Sequence, residues 1–99
     1  MTLTSKQRQF LRSKAHHLDT VFNIGKNGID TTLIDGLNDV LENRELIKIN
    51  VLKNCDLFPG EAATEIAQKT RSEIVQVMGR KITLYRKSHK EKVEHVLTV

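Results

Sequence analysis

The sequence lacks tryptophan, has a single cysteine and contains no apolar run near the ~18–20 residues that a membrane helix needs. Because Cys55 is alone, no intramolecular disulfide can form, which fits a reducing compartment. The first residues carry no signal-peptide core. We therefore expect a cytoplasmic protein with no membrane partner.

The sequence has few residues of the types that support catalysis, and they form no recognisable catalytic motif. Cys55 and the histidines His16, His17, His89 and His95 show no nucleophile–base arrangement. There is also no Cys/His metal spacing, no P-loop and no dinucleotide fingerprint. We expect no enzyme activity, no metal site and no cofactor. A hydrolase that uses one of the histidines stays open as a third hypothesis.

The charged residues that are present are unevenly distributed along the 99 residues, whose net charge is +4. Residues 1–29 carry five cations and one anion, residues 30–45 one cation and five anions, and residues 80–92 six cations and one anion. Such segregation on one small domain favours an anionic partner that docks on one side, nucleic acid above all. An ordinary solvated surface is the alternative.

The stretch Val21-Phe22-Asn23-Ile24-Gly25-Lys26-Asn27-Gly28-Ile29-Asp30 combines a short strand, a glycine-bracketed loop and the start of a helix. Glycine lets a backbone approach a ligand closely, and a helix N-terminus presents unpaired N–H groups that suit phosphate. We predict that Gly25–Gly28 grips a sugar-phosphate backbone. Lys26 would supply a cation, and Asn27 would accept positive φ while offering its amide. Asn-Gly is also a hairpin signal, but residues 30–43 carry helical spacing.

Hydrophobic periodicity predicts the element order α-β-α-β-α-β-β. Helices are expected over residues 5–17, 30–43 and 60–71, and strands over residues 20–25, 46–52, 73–78 and 81–86. Strand–helix–strand units imply parallel neighbours, and Gly79-Arg80 implies a closing hairpin. The predicted fold is an α/β two-layer sandwich with a mixed four-stranded sheet. It occupies residues 1–87, and residues 88–99 form a short charged tail, helical or frayed.

Several local details follow from the same patterns. Thr4 and Gln7 predict a capping box, and Asp30 predicts the N-cap of the second helix. Phe10 and Phe22 are expected in the core. In the third strand, simple alternation places Val75 and Val77 on one face and Ile74, Gln76 and Met78 on the other.

Further basic residues would extend the footprint of the loop. They are Arg8, Arg12 and Lys14 in the first helix and Arg80, Lys81, Arg86 and Lys87 around the hairpin. For each, direct phosphate contact and a plain surface charge are both open. Phosphate contacts carry little sequence information, so we expect recognition governed by the shape and charge of the nucleic acid. Tyr85 is the one aromatic residue placed to stack on a base, with edge-strand packing as its alternative.

Three segments in order resemble the CRM domain family, and more narrowly the stand-alone bacterial YhbY-type proteins. They are Phe22-Asn23-Ile24-Gly25-Lys26-Asn27-Gly28, Ile47-Lys48-Ile49, and Val75-Gln76-Val77-Met78-Gly79-Arg80-Lys81-Ile82-Thr83-Leu84-Tyr85-Arg86. The resemblance covers about residues 3–87. It implies an RNA-binding fold similar to the C-terminal domain of translation initiation factor three.

The same resemblance implies association with ribosomal RNA in precursors of the large ribosomal subunit, and a part in ribosome maturation. Ribosomal proteins are further expected partners, and the protein is expected to be a monomer. Ile29-Asp30 stands where Leu-Thr is common in the family, and it places an anion beside the loop.

The competing function is a protein–protein adaptor. Asp35, Asp39 and Glu42 follow an i, i+4, i+7 row on the second predicted helix, opposite its apolar stripe. This acidic row would engage a basic partner such as a ribosomal protein.

Overall fold

The computed structural model describes residues 3–89 and 95–97, and the rest of the predicted charged tail lies outside these ranges. The elements are α1 (Ser5–Ala15), β1 (Thr20–Ile24), α2 (Thr31–Arg44), β2 (Leu46–Val51), α3 (Pro59–Thr70), β3 (Glu73–Met78) and β4 (Lys81–Tyr85). The predicted order is confirmed, with element ends displaced by at most two residues. Within the described ranges, no helix is both long and apolar enough to cross a membrane.

The four strands form one mixed sheet in the order β1-β2-β4-β3, with β1 and β2 parallel and the other pairs antiparallel. This confirms the predicted α/β fold with a mixed sheet. Leu52 N donates to Ile24 O at 2.8 Å, and Val51 N donates to Arg80 O at 2.7 Å. The connections that follow β1 and β2 therefore meet the β3–β4 turn at one end of the sheet, which we call the loop end.

Helices α2 and α3 cover one face of the sheet. The main core cluster comprises Ile24, Leu37, Leu41, Ile47, Ile49, Val51, Cys55, Ala62, Ala63, Ile66, Ile82 and Leu84. Gly36 lies inside α2, where glycine costs about 1 kcal/mol relative to alanine. A Cβ at Gly36 would approach Phe22 Cζ to 2.9 Å. The glycine thus makes room for the half-buried Phe22 ring against the helix.

Helix α1 packs on the opposite face, away from the loop end. Its buried residues join a second cluster of Leu3, Leu11, Ala15, Leu46, Val75, Tyr85 and Leu97. Leu84 belongs to the main cluster and Tyr85 to the second, as alternation along a strand requires. The sheet therefore carries α2 and α3 on one face and α1 on the other.

Two aromatic residues occupy positions that differ from those expected. Phe10 is 44% exposed and not in the core, whereas Tyr85 is fully buried. Because β4 is an interior strand, Tyr85 neither stacks on a ligand at the surface nor packs at a sheet edge. Both alternatives for Tyr85 were wrong, since the sequence did not reveal the strand order.

A β-bulge interrupts β3 between Ile74 and Gln76. Ile74 pairs with Leu84 and Val77 pairs with Ile82, so Ile74 and Val77 share the face of the main core. The expectation that Val75 and Val77 share a face was wrong, because the extra residue resets the alternation.

Both predicted caps are confirmed. Thr4 Oγ1 accepts from Gln7 N at 3.1 Å while Gln7 Oε1 accepts from Thr4 N at 3.0 Å. Asp30 Oδ1 accepts from Leu33 N at 2.8 Å. Asp30 therefore caps the first turn of α2.

Glu45 joins α2 to β2 as a single residue with a φ of 64°, and its side chain is fully buried. Its carboxylate accepts from Ser88 N at 2.7 Å and Val96 N at 2.6 Å, and lies 2.6 Å from His95 Nδ1. Burial opposes ionisation, but the hydrogen bonds from His95, Ser88 and Val96 outweigh it and hold the pKa of Glu45 below its ordinary value. The described part of the tail is thus packed onto the domain beyond residue 87.

Replacing Glu45 by glutamine should destabilise the fold by about 1–3 kcal/mol at pH 7, because donors aimed at a buried carboxylate lose their ionised acceptor. The folded pKa lies below the unfolded one, so this stabilisation is present above the ordinary carboxyl value of 4.5. It should vanish as the pH falls through the folded pKa. Thermal unfolding at several pH values measures the difference. The exposed Asp35→Asn is the matched control, and a pH-independent deficit in Glu45→Gln would contradict the prediction.

Candidate nucleic-acid interface

Gly25–Gly28 forms a tight turn closed by a hydrogen bond of 3.0 Å from Gly28 N to Gly25 O. Lys26 and Asn27 lie exposed at its tip. Positive φ falls on Gly28, at 65°, and not on Asn27, so the expectation for Asn27 was wrong. A Cβ at Gly28 would meet open space, and the backbone conformation alone therefore favours glycine there.

The connection after β2 lies against this turn. A Cβ at Gly25 would lie 3.4 Å from both Asn54 Oδ1 and Leu52 Cδ1. Leu52 O in turn accepts from the Arg80 guanidinium at 3.3 Å. Three connections, after β1, after β2 and between β3 and β4, therefore share the loop end.

Each of these connections brings at least one exposed cation, and together they form what we call the loop-end cluster. Its members are Lys26, Lys53, Arg80 and Lys81. Lys81 pairs with Asn50 in the sheet, beside the hairpin turn. Lys53 was not among the predicted site residues. Its position directly after the second strand was the available signal, because parallel strands end at the same edge.

Arg86, in contrast, is held inside a hydrogen-bond network at the other end of β4. Its guanidinium donates to Asn38 Oδ1 and Thr70 O, both at 2.7 Å, to Asn38 O at 3.0 Å and to Glu42 Oε1 at 3.2 Å. Its side chain is only 16% exposed. These contacts tie α2, α3 and the end of β4 together, so the terminal nitrogens of Arg86 are occupied.

The remaining predicted cations lie away from the loop end. Arg8 donates to the carbonyls of Ile74 and Val75 at the β3 bulge and is half-buried. Arg12 and Lys14 are exposed on α1, and Lys87 is exposed just after β4. Of the predicted residues, the structure thus brings Lys26, Arg80 and Lys81 together with the turn, and leaves the other cations elsewhere.

The acidic row of α2 is only partly available at the surface. Asp35 and Asp39 are exposed, whereas Glu42 accepts from Arg86, Ser88 and the backbone N–H of His89. Hydrogen bonds from His89, opposed by burial and aided by the Arg86 charge, hold the pKa of Glu42 below its ordinary value. Glu42 therefore anchors the chain after β4.

Neither a metal centre nor a reactive thiol is assembled in the part of the chain that the structure describes. No group of three His, Cys, Asp or Glu side chains within residues 3–89 and 95–97 could hold a metal ion. Cys55 is buried in the main core cluster.

The profile of the CRS1 / YhbY (CRM) domain matches residues 3–86. The chain belongs to this family. It is 44% identical over 90 residues to "Probable RNA-binding protein YqeI" of Bacillus subtilis, covering 91% of this chain and 94% of the relative. It is 33% identical over 93 residues to an RNA-binding protein of Haemophilus influenzae, covering 94% of each.

The same fold is also found in a solved structure. The solution structure of the hypothetical protein SAV1595 from Staphylococcus aureus superposes with a TM-score of 0.76 at 47% identity. The similarity covers 95% of this chain and 99% of that protein. The architecture described above is therefore shared with this solved structure.

Arg86→Lys should destabilise the protein by about 1–3 kcal/mol, because an ammonium cannot reproduce the guanidinium fork that bonds Asn38 and Thr70 together. Urea unfolding measures the change. Lys87→Ala, which removes the exposed neighbouring cation, should alter stability by no more than about 0.5 kcal/mol. Equal stability of Arg86→Lys and the wild type would show that the network contributes nothing.

Proposed function

We propose that this CRM-family protein binds RNA through Gly25–Gly28 and the loop-end cluster. We further propose that its target is ribosomal RNA in precursors of the large ribosomal subunit, so that it acts in ribosome maturation. The observation that carries the proposal is the exposed Lys26 on a glycine turn, with Lys53, Arg80 and Lys81 at the same end of the sheet. The names of the relatives support RNA as the class of partner.

In the proposed mechanism, the turn lets the RNA backbone come close to the protein main chain. Lys26 places a mobile ammonium beside a phosphate, and Asn27 offers its amide to phosphate or sugar. KH domains clamp a nucleic-acid backbone with a similar four-residue loop. The Asp30 carboxylate accepts a hydrogen bond from Leu33 N in the first turn of α2. It therefore repels a bound phosphate less than a carboxylate without a hydrogen bond would.

The proposed contacts differ in kind among the basic residues. Those of the loop-end cluster contact phosphate directly, whereas Arg12, Lys14 and Lys87 add to the field that attracts RNA. The guanidinium groups of Arg8 and Arg86 hold the fold together. In this proposal the protein acts as a monomer in the cytoplasm, without a cofactor.

Lys26→Ala should weaken binding to structured ribosomal RNA across sequences, because a phosphate contact is lost without loss of base readout. The log–log dependence of affinity on salt should flatten by ~0.7–0.9 for one lost contact. Titrations over a range of salt concentrations measure both effects. Lys69→Ala removes one charge from α3, outside the proposed interface, and is the matched control. If affinity and slope are unchanged in Lys26→Ala, the loop is not part of the mechanism.

Depletion of the protein from cells should lower the amount of mature large subunits and allow their precursors to accumulate, if it acts in their maturation. Sucrose-gradient profiles measure the subunits, and crosslinking followed by RNA sequencing identifies the bound RNA. Wild-type protein should restore the profile, and Lys26→Ala should restore it less well. Normal subunit levels after depletion would contradict the proposed role while leaving RNA binding itself intact.

A further inference from the structure

A concave site lies at the end of the sheet opposite the loop end. It is a cavity of about 890 Å³ between α1, the start of β1 and the end of α2. The side chains of Phe10, Leu18 and Val21 contribute apolar lining, and those of Lys14 and Arg44 contribute cations. We call this site the α1 cleft.

Two of the apolar residues that line the α1 cleft are exposed to solvent. Phe10 is 44% and Leu18 is 37% exposed, although both are large apolar side chains on a small domain. Lys14 Nζ lies over the Phe10 ring, 5.6 Å from its centroid, so a base that stacks on this face moves the flexible lysine side chain aside. An exposed aromatic ring with a mobile ammonium next to it matches the two parts of a nucleotide, because bases stack on aromatic rings and phosphates pair with cations.

The charges around the cleft favour an anion. Lys14 and Arg44 are exposed and His17 also lines the cavity, whereas Asp19 is its one acidic lining residue in the described part of the chain. This balance disfavours a cationic ligand and is complementary to a phosphate or a carboxylate.

A row of polar side chains connects the α1 cleft with the loop end along the sheet face that α1 shares. Lys48 Nζ donates to Leu18 O at 3.1 Å, at the edge of the cleft. Asn50 follows on the same strand and face, and its amide donates to Asn23 Oδ1 at 3.3 Å. β1 spans both sites with four steps of ~3.3 Å, or roughly 13 Å. One extended polyanion can therefore reach both sites.

We propose that the α1 cleft takes one unpaired nucleotide of the bound RNA, with its base against Phe10 and its phosphate at Lys14 and Arg44. This inference rests on the proposed RNA-binding function and adds a second contact site to it. An acidic peptide would satisfy the cations, but it would leave the polar row toward the loop end without a role. RNA gives a role to the Phe10 ring, to the two cations of the cleft and to the polar side chains that lead to the loop end.

The test compares a short single-stranded RNA of mixed sequence with a blunt RNA hairpin, using the full chain. Phe10→Leu keeps an apolar side chain but removes the ring, so it should weaken single-stranded RNA binding about 5- to 100-fold and change hairpin binding little. Phe10→Trp should bind single-stranded RNA at least as well as the wild type. Lys6→Ala, which removes a charge from α1 outside the cleft, should match the wild type.

Two further measurements keep the test decisive if Phe10→Leu folds poorly. Arg44→Gln should also weaken single-stranded RNA binding. In the unaltered protein, backbone amide resonances of Leu18 and Val21 should shift when that RNA is added. A poly-glutamate peptide that shifts these resonances, where the RNA does not, would overturn the proposal in favour of a protein partner.

Lys26→Ala, measured in the same assays, separates this proposal from the proposed function. One outcome is that Lys26→Ala weakens binding of both RNAs, while the three cleft variants Phe10→Leu, Phe10→Trp and Arg44→Gln bind like the wild type. In that case the α1 cleft has no role in RNA binding, and the proposed role of the loop is retained. If Phe10→Leu and Arg44→Gln weaken single-stranded RNA binding and Lys26→Ala does not, the cleft is supported and the loop assignment fails. If the unaltered protein binds neither RNA, both proposals fail.

Discussion

The packing of one end of the sheet depends on Glu45, the single residue at which the chain reverses direction between α2 and β2. One residue with a φ of 64° makes the whole connection, and its backbone carbonyl accepts from Arg86 N at 2.9 Å. A buried carboxylate is costly unless its oxygens are hydrogen-bonded. Ser88, His95 and Val96 supply those bonds, so these three residues pack against the domain. Glu45 thereby fixes the end of α2, the start of β2 and the chain beyond β4 at one end of the sheet.

The two longest connections, residues 25–30 after β1 and residues 52–58 after β2, lie at the opposite end of the sheet. The parallel pairing of β1 and β2 brings the turn at Gly25–Gly28 next to the segment after Val51, and the β3–β4 hairpin joins them. The two ends therefore use their charged residues differently. Arg86 donates its hydrogen bonds to the protein, whereas Lys26 has an exposed side chain at the tip of a turn. Exposure of cations at the loop end is a consequence of topology as much as of composition.

Local features were predictable from the sequence because their causes are local. The Thr4 cap, the Asp30 cap and the tight connection at Gly79, whose φ is 58°, each depend on a few neighbouring residues. The bulge in β3, the burial of Tyr85 and the network of Arg86 depend on partners far along the chain. Arg86 meets Asn38, 48 residues away, and no periodicity encodes that meeting. The turn of the candidate site was therefore predictable, whereas the sequence did not show which basic side chains are exposed and which are hydrogen-bonded within the fold.

The same topology bears on the shape of the ligand. The basic block of residues 80–92 appears continuous in sequence, yet β4 separates Arg80 from Arg86 by six steps, or roughly 20 Å. Lys26 and Lys14, both from the first basic block, likewise lie at opposite ends of β1. At physiological salt, charges beyond a Debye length of about 8 Å act almost independently. A compact anion would therefore neutralise one end alone, while an extended polyanion lying along β1 would gain from both. The separation of the two cation groups thus favours a polymer as the ligand of this domain.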